Sequence, residues 1–340
     1  MTHRPLQRLL TRSLPAVALA CALAACGGGG TDNTASNGTT TIAAAGSAAA
    51  PTPSQPPLGP EATAVQRLNT ERGNCGFGTL LPNTLLDQAA LNHANYNAYQ
   101  ASLGVLAGHV EAVGQPLFTG VTLFDRALFV GYAYRDLWEN VTTLYWRNVS
   151  GPLNTVPLAT YADERTRGLL TSVYHLKGML VATRDVGVAV LHKTFGSTVV
   201  RNMVVELGTP LLAPAPPVQT GVLSYPCEGT QGAMAVFTPS GETPNPKPGF
   251  VGDIGTPIYL RAPGNDRISV TSFAVTEWAT GRSIPAQTMT LANDPVQWLS
   301  VNDAFILPDA PLTANVRYRV RVSGMAGSVA YSLDFSFTPS

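Results

Sequence analysis

Apolar and small residues recur every three or four positions through much of the first half of the chain, which is the spacing of one face of an α-helix. Val65 and Leu68 have this spacing and predict a short helix that ends near Gly73. A second helix is predicted to begin after Pro82, with Asn83 as its N-cap. The folded part of the chain is therefore expected to begin with two helices.

Two further helices are predicted, one from a cap and one from periodicity. Thr122 followed by Asp125 has the spacing of a capping box, with Asp in place of the usual Glu, and predicts a helix through residues 123–132. The apolar spacing of residues 158–181 predicts a longer helix.

The pattern then changes to runs of β-branched and apolar residues. Residues 186–192 and 197–207 are two such runs, and the glycine-containing segment between them predicts a β-hairpin. Helices followed by an antiparallel hairpin indicate an α+β fold. Beyond the proline-rich residues 211–218, short runs separated by turn residues predict an all-β sandwich. The clearest of these runs are 257–263, 268–278, 304–312, 317–324 and 331–337.

The composition is poor in charge. Only 12% of the 340 residues are charged, against roughly 25% in typical soluble proteins, and the formal net charge is zero. No cluster of Lys or Arg stands out, and nucleic acid is therefore not expected as a partner. The length suffices for about two domains of roughly 150 residues each.

The first 25 residues have the layout of an export signal. Three arginines precede a short apolar run, residues 14–25, which is too short to cross a bilayer comfortably. The Leu-Ala-Ala of residues 23–25 before Cys26 resembles the lipobox of bacterial lipoproteins. This resemblance implies that Cys26 is lipidated and becomes the new N-terminus. The alternatives are an ordinary signal peptide cleaved after Ala-x-Ala and, less well matched, lipidation of Cys21.

Residues 26–60 consist mainly of Gly, Ala, Ser, Thr and Pro, and such a segment cannot bury enough apolar surface to fold. They are predicted to form a disordered tether that gives the folded part reach from the membrane. Gly27 replaces the aspartate that usually retains lipoproteins in an inner membrane. By that resemblance we expect a protein anchored through its lipid in the outer membrane, facing the periplasm or the cell surface.

Cys75 and Cys227 are the other cysteines of the exported chain. An exported chain meets an oxidising compartment, and an even count there predicts a disulfide between them. The alternative is two independent buried thiols.

Few residues in this chain are suited to chemistry. The candidates are His109, Glu111, Glu139 and His175. His109 and Glu111 lie in a glycine-rich loop, which either merely turns or presents a polar group to a cleft. His93 lies on an apolar helix face and is expected to be a core histidine with satisfied hydrogen bonds, and His192 is expected to be a solvated strand residue.

Ser172 precedes His175 by three residues on a predicted helix, and the two side chains could meet as part of a Ser-His-acid triad. The chain contains no Gly-x-Ser-x-Gly segment and no recognisable oxyanion loop. A Ser-His pair on one helix face is usually structural, and the triad is the minor alternative.

Five segments in order resemble the CAP superfamily (cysteine-rich secretory, antigen 5 and pathogenesis-related proteins), in particular its bacterial SCP-like branch. Two resemble the family's first helices, one its histidine-containing loop, one its Glu-Asn segment, and one its second histidine helix with the following strand. These segments are "RLNTERG" (67–73), "LLPNTLLDQAALNHANY" (80–96), "GHVEAVGQPLFTGVTLFDRALFVGY" (108–132), "WENV" (138–141) and "LLTSVYHLKGMLVATRDVGVAV" (169–190).

The resemblance implies an α-β-α sandwich with a surface cleft that holds two histidines and acids. Carried over by position, His109 is the first cleft histidine, Glu139 the acid and His175 the second histidine, and Glu111 is expected to orient His109. Two imidazoles and a carboxylate suit a divalent metal such as zinc, which makes His109, Glu139 and His175 the candidate ligands.

The chain also departs from the family pattern. Trp138 replaces the glycine that usually precedes Glu-Asn, and Ser-Val-Tyr-His stands where many members have Gly-His-Tyr-Thr-Gln. The second glutamate of the family has no clear counterpart, although Glu164 lies on the corresponding helix. These departures put the metal site in doubt and favour a polar cleft held together by hydrogen bonds.

The C-terminal part resembles bacterial immunoglobulin-like or fibronectin-like modules, on the segment "LPDAPLTANVRYRVRVSG" (307–324). The expected role of such a module is a spacer or adhesion domain, since fold alone says little about function. The predicted organisation is a signal peptide at 1–25, a tether at 26–60, a CAP domain at 61–210, a linker at 211–221 and an immunoglobulin-like β-sandwich domain at 222–340.

Two classes of function remain open. The first is a non-catalytic envelope protein whose cleft binds a lipid, a peptide or a wall component. The second is a metal-dependent hydrolase of the envelope, which would use His109, Glu139 and His175. The first is preferred, because the candidate set lacks a general base with its own orienting partner.

Overall fold

A computed structural model describes residues 59–340, apart from residues 152, 154 and 218. The predicted signal peptide, the predicted lipidation at Cys26 and nearly all of the predicted tether therefore lie outside the described residues. No helix in the described part is long and apolar enough to cross a membrane.

Helices and strands alternate in the first part of the described chain, and strands dominate the rest. The helices are α1 Pro60–Asn74, α2 Thr84–Leu103, α3 Leu123–Phe129, α4 Leu158–Leu169 and α5 Tyr174–Met179, with a short 3₁₀-helix at Pro239–Gly241. The first strands are β1 Leu81–Pro82, β2 Tyr134–Trp146, β3 Asp185–Phe195, β4 Thr198–Pro210, β5 Leu223–Tyr225, β6 Val236–Phe237 and β7 Ile254–Gly255. The remaining strands are β8 Ile258–Arg261, β9 Ile268–Glu277, β10 Ser283–Ile284, β11 Ala286–Thr290, β12 Asp303–Pro308, β13 Tyr318–Ala326 and β14 Val329–Phe337. This mixture of helices and sheets is compatible with the predicted α+β class.

The first sheet has the strand order β1-β3-β4-β2 and carries helices on both faces. The β3–β4 hairpin and the β2–β4 pair are antiparallel, and β1 runs parallel to β3. Val188 and Val190 of β3 share a core with Leu68 of α1, whereas Ala189 packs on the other face against Ala90 of α2. Because successive strand residues point to opposite faces, one strand supplies both cores.

Gly187 marks the closest approach of α2 to this sheet. A Cβ atom at Gly187 would lie 2.1 Å from the carbonyl carbon of Leu86, at the start of α2. The absence of a side chain therefore lets the helix backbone rest directly on β3.

The predicted starts of α2 and α3 are confirmed by their caps. The Asn83 side chain accepts hydrogen bonds from the backbone amides of Leu85 and Leu86, and Thr122 forms the capping box with Asp125. Helix α3 is shorter than predicted, because the chain turns at Gly131 with a positive φ of 84°.

The single long helix predicted over 158–181 is wrong, because the chain breaks between α4 and α5. The hydroxyls of Thr171 and Ser172 hydrogen-bond back to the carbonyls of Arg167 and Leu169. The carboxylate of Glu242 accepts the backbone N–H groups at the start of α5. A distant side chain thus caps a new helix where local periodicity predicts continuation.

Strand β2 was not predicted at all. Its sequence lacks the apolar pattern of a buried strand, because this pattern is interrupted by Arg135, Asp136, Glu139 and Asn140. It pairs with β4 along nearly its whole length and brings Glu139 directly opposite Glu206.

The second part contains two four-stranded sheets, ordered β10-β9-β13-β14 and β11-β12-β8-β5. They share one apolar core, in which Ile258 and Leu260 of β8 lie with Val320 and Val322 of β13. The alternate residues of β8 and β12 point the other way, toward the helices of the first part.

This second face joins the two parts in one continuous core. Tyr259 of β8 stacks on Phe77, with ring centroids 6.2 Å apart, and on Phe305 of β12 at 4.9 Å. The same cluster contains Leu68 of α1 and Leu176 of α5. The domain boundaries given above stay predictions, but apolar packing is continuous across the linker.

The disulfide prediction is confirmed. Cys75, at the end of α1, is bonded to Cys227, which lies two residues after β5, and their Cα atoms are 5.5 Å apart. The bond therefore ties the helical part to the strand that follows the linker.

Candidate functional site

A cleft crosses the surface where the histidine loop, β2, α5 and the segment around Glu242 meet. It consists of cavities of about 540 Å³ and 570 Å³, and both are lined by His109 and His175. Four residues of this cleft form two histidine–carboxylate pairs. We call this surface feature the histidine cleft and define it by these four residues, His109, Glu139, His175 and Glu242.

The first pair is His109 with Glu139. The loop after α2 turns at Gly108, whose φ is 63°, and brings His109 over β2. The Nδ1 atom of His109 lies 2.8 Å from Oε1 of Glu139. The imidazole is 37% exposed, whereas the carboxylate beneath it is fully buried. The sequence prediction that these two residues lie together therefore matches the geometry.

The surroundings of Glu139 favour the ionised form of its carboxyl group. Its Oε2 accepts a hydrogen bond of 2.5 Å from Arg126, and the Nε2 atom of His93 lies 3.7 Å away. Burial opposes the charge, but His93, the hydrogen bond to His109 and Arg126 together hold the pKa of Glu139 well below its ordinary value. Both oxygens are therefore engaged behind His109.

Glu206 lies opposite Glu139 in the β2–β4 register and behaves in the opposite way. Burial and the neighbouring negative charge of Glu139 raise the pKa of Glu206 well above its ordinary value. The protonated form of Glu206 is thus favoured beside the ionised form of Glu139 on the adjacent strand.

Glu111 does not orient His109, and that expectation is wrong. Its carboxylate is fully buried and lies 2.9 Å from Nδ1 of His93, and it accepts the backbone amides of Thr119 and Gly120. Burial opposes its charge, but the bonds from His93 and the Thr119 amide lower the pKa of Glu111. Glu111 thus braces the base of the loop.

His93 is a core histidine, as its apolar helix face suggested. Its Nδ1 faces Glu111, and its Nε2 lies 2.8 Å from the carbonyl oxygen of Gly108. Each ring nitrogen therefore faces an oxygen acceptor to which it can donate. His93 therefore ties α2 to the loop that holds His109.

The second pair is His175 with Glu242. The Nδ1 atom of His175 lies 2.8 Å from Oε1 of Glu242, and the same carboxylate accepts the backbone amides of Val173 and His175. Glu242 is buried, and the imidazole is 16% exposed. One residue thus caps α5 and orients its histidine.

Glu242 is the site residue that sequence analysis missed. It lies 67 positions beyond His175, in the segment after the linker, and no local pattern connects the two. Glu164, the residue considered for the second acid, lies on α4 and does not line either cavity of the cleft.

The two pairs present the same chemistry to the cleft. In each, Nδ1 faces a carboxylate to which its N–H can donate, and Nε2 is then the ring atom left to bind a ligand or a metal. Within the described residues, neither Nε2 atom has a hydrogen-bond partner. The same part of the chain contains no group of three or more His, Cys, Asp or Glu side chains arranged to hold a metal ion.

Ser172 lines the cleft but is not paired with His175. Its hydroxyl hydrogen-bonds to the carbonyl of Leu169 at 2.8 Å, and the Nδ1 of His175 is taken by Glu242. The serine hydroxyl therefore donates to a backbone carbonyl at the end of α4.

Comparison of the sequence with models of known families and with curated proteins gave no match. The CAP resemblance therefore stays a proposal that rests on the motifs and on the geometry of the cleft.

Proposed function

We propose that the protein is a cell-envelope lipoprotein that binds a lipid, a peptide or a wall component in the histidine cleft. One observation carries the proposal: His109 and His175 are each oriented by a buried carboxylate and each leave Nε2 toward the same cleft. Orienting two imidazoles in this way fixes two polar contacts for a ligand.

The proposed fold is a CAP-type α-β-α sandwich followed by an immunoglobulin-like β-sandwich. Helix α2 on one face of the first sheet and α1, α4 and α5 on the other support the first part. The two four-stranded sheets with a common core support the second.

We favour a binding role over catalysis that would use only the side chains of the protein, without a metal ion. Both orienting carboxylates are buried behind their histidines, and the hydroxyl of Ser172 is bonded to the backbone. Each histidine has the orienting carboxylate that a general base needs and that the sequence alone did not reveal. The hydroxyl considered as the nucleophile, that of Ser172, is bonded to Leu169 rather than to either histidine, and transfer through a covalent intermediate would require such a pair.

The binding proposal is tested by titrating the purified protein with three envelope probes. These are a muramidase digest of cell wall, vesicles of phosphatidylethanolamine and phosphatidylglycerol, and a mixture of short peptides. One probe should bind the wild type and lose affinity in His109→Ala and His175→Ala. His192→Ala is the matched control, because His192 lies on β3 outside the cleft and is held by Arg201. Binding that survives both cleft variants would refute the proposal.

The second candidate is a metal-dependent hydrolase. The free Nε2 atoms of His109 and His175 are the donors that would hold zinc, and such an ion activates water for hydrolysis. Glu139 would have to release Arg126 or His109 to complete the predicted ligand set.

Calorimetry with zinc separates the two candidates. Imidazole must be neutral to bind metal, and affinity should therefore fall between pH 7.5 and pH 5.5, across its ordinary pKa of about 6.5. Tight binding at pH 7.5 that disappears in the His109→Ala, His175→Ala double variant favours the hydrolase. No binding at either pH removes this candidate.

Membrane anchorage through Cys26 is proposed from the lipobox resemblance and the tether behind it. Cys26→Ser should move the protein from the membrane fraction to the soluble fraction. Cys21→Ser is the control and should leave the protein in the membrane. Unchanged partition of the Cys26 variant would contradict lipidation at this residue.

A further inference from the structure

One of the two cavities of the cleft is lined by aromatic rings and small polar groups in addition to His109 and His175. We call it the tryptophan subsite and define it by Trp138, Asn140, Tyr174, Lys177, Trp298 and Ser300, all of which line the cavity of about 570 Å³. Its volume falls within the roughly 300–1,000 Å³ typical of small-molecule sites. The proposed function so far assigns it no role.

Trp298 is half-exposed but held on a rigid loop. Asp294 accepts the backbone amides of Val296, Trp298 and Leu299, and it receives a hydrogen bond of 2.5 Å from the hydroxyl of Tyr174. Tyr174 also packs edge-on against the Trp298 ring, with centroids 5.7 Å apart. A large apolar ring that is fixed and yet left open to solvent is prepared for a partner.

Lys177 lies between the two tryptophans, and each N–H of its ammonium group has a partner within the protein. Its ammonium group binds the carbonyl of Trp298 and the hydroxyl of Ser300, and lies 3.2 Å from the carboxylate of Asp303. It also lies 5.5 Å from the centre of the Trp138 ring. Its charge is therefore neutralised within the protein, and the subsite is not built for an anion.

Asn140 adds an amide to the wall of this subsite. The residue is 1% exposed and lines the cavity, and its buried amide nitrogen has no hydrogen-bond partner among the described residues. Gly178 makes room for this side chain, since a Cβ at that position would lie 2.9 Å from Oδ1 and 3.2 Å from Nδ2 of Asn140. A buried donor without a partner is costly unless a ligand supplies an acceptor.

We infer that the tryptophan subsite binds a chain of N-acetylated amino sugars. The C–H face of a pyranose ring carries partial positive charge and stacks on the negative face of an indole. The carbonyl oxygen of an acetamido group is the strong acceptor that the Asn140 amide lacks. A lipid tail suits this surface poorly, because Asn140, Lys177 and Ser300 interrupt its apolar area.

This inference rests on the proposed binding function and names its ligand class. It predicts that chitotetraose binds the wild-type protein and alters its tryptophan fluorescence. Affinity should fall at least about tenfold in Trp298→Ala and in Trp138→Phe, because buried aromatic contacts dominate such sites. Trp298 lies on a surface loop, and its replacement therefore tests the subsite without disturbing the sheet.

Trp278→Ala is the matched control, since Trp278 is about as exposed as Trp298 but lies in the turn directly after β9, under the guanidinium of Arg317. Its affinity should be unchanged. Cellotetraose, which lacks the acetamido groups, should bind more weakly than chitotetraose.

Three outcomes would overturn the inference: no binding of chitotetraose at millimolar concentration, equal binding of both sugars, or binding that survives the Trp298 and Trp138 variants. If another envelope probe then still binds in a manner that depends on His109 and His175, the proposed function stands and only the ligand class is wrong. If no probe binds at all, both fail.

Discussion

Glu139 and Glu206 are the same residue type, face each other on adjacent strands and differ in charge because their neighbours differ. Glu139 has Arg126 at 2.5 Å and the two rings of His93 and His109 around it. Burial, and after it the negative charge of Glu139, raise the pKa of Glu206 well above its ordinary value, which favours its protonated form. The local electrostatics, which depend on strand register, decide which carboxyl supports the cleft.

We predict opposite outcomes for the same chemical change at these two positions. Glu139→Gln removes a buried charge and takes from the buried Arg126 its closest carboxylate, which should cost about 3–5 kcal/mol of unfolding free energy at pH 7. Glu206→Gln replaces a neutral acid by a neutral amide and should change stability little. Urea denaturation of both variants measures the difference, and equal losses would contradict the assignment of charges.

The pH dependence follows from the sign of the Glu139 shift. Its pKa is lowered in the folded state, and its contribution is therefore present above the ordinary carboxyl pKa of about 4.5 and is lost as pH falls. The stability gap between wild type and Glu139→Gln should therefore shrink from pH 7 to pH 3.

Among the helices, the starts that depend on hydrogen bonds between residues close in sequence were predicted correctly. Asn83 and the Thr122–Asp125 pair cap α2 and α3 within four residues, and both helix starts were found from the sequence. The break between α4 and α5 depends on Glu242, about 70 positions away, and was missed. The same distance explains why His175 was identified as a site residue and its orienting partner was not.

The contact between α2 and β3 gives a prediction for an element. Gly187→Ala would place a methyl group 2.1 Å from the Leu86 carbonyl carbon, and the backbone would have to move. We expect a loss of about 3 kcal/mol or more. Gly168→Ala is the matched control, because its Cβ would meet nothing closer than 3.9 Å and lies in α4, where Ala gains up to about 1 kcal/mol. Thermal and urea unfolding compare the two, and a tolerated Gly187→Ala would contradict the close packing.

For the molecule as a whole, the segment after the linker completes the cleft. It supplies Glu242 to His175 and Trp298 to the aromatic end, and it packs Tyr259 against Phe77. Composition alone suggested two modules joined by a proline linker. The two modules are joined by contacts of aromatic and carboxylate side chains that lie far apart in the sequence. The spacing of apolar residues along the chain does not predict such contacts.

We therefore predict that the described chain unfolds in one cooperative step, even without its disulfide. The Cys75–Cys227 bond closes a separation of 152 residues, and removing it in a Cys75→Ser, Cys227→Ser double variant should cost about 2–5 kcal/mol. The continuous core should nevertheless keep tryptophan fluorescence and far-UV circular dichroism on a single shared transition in urea, which is the signature of two-state unfolding. Wild-type protein under non-reducing conditions is the reference. Two separate transitions in the variant would mean that the disulfide, rather than the shared aromatic core, makes the two parts fold as one.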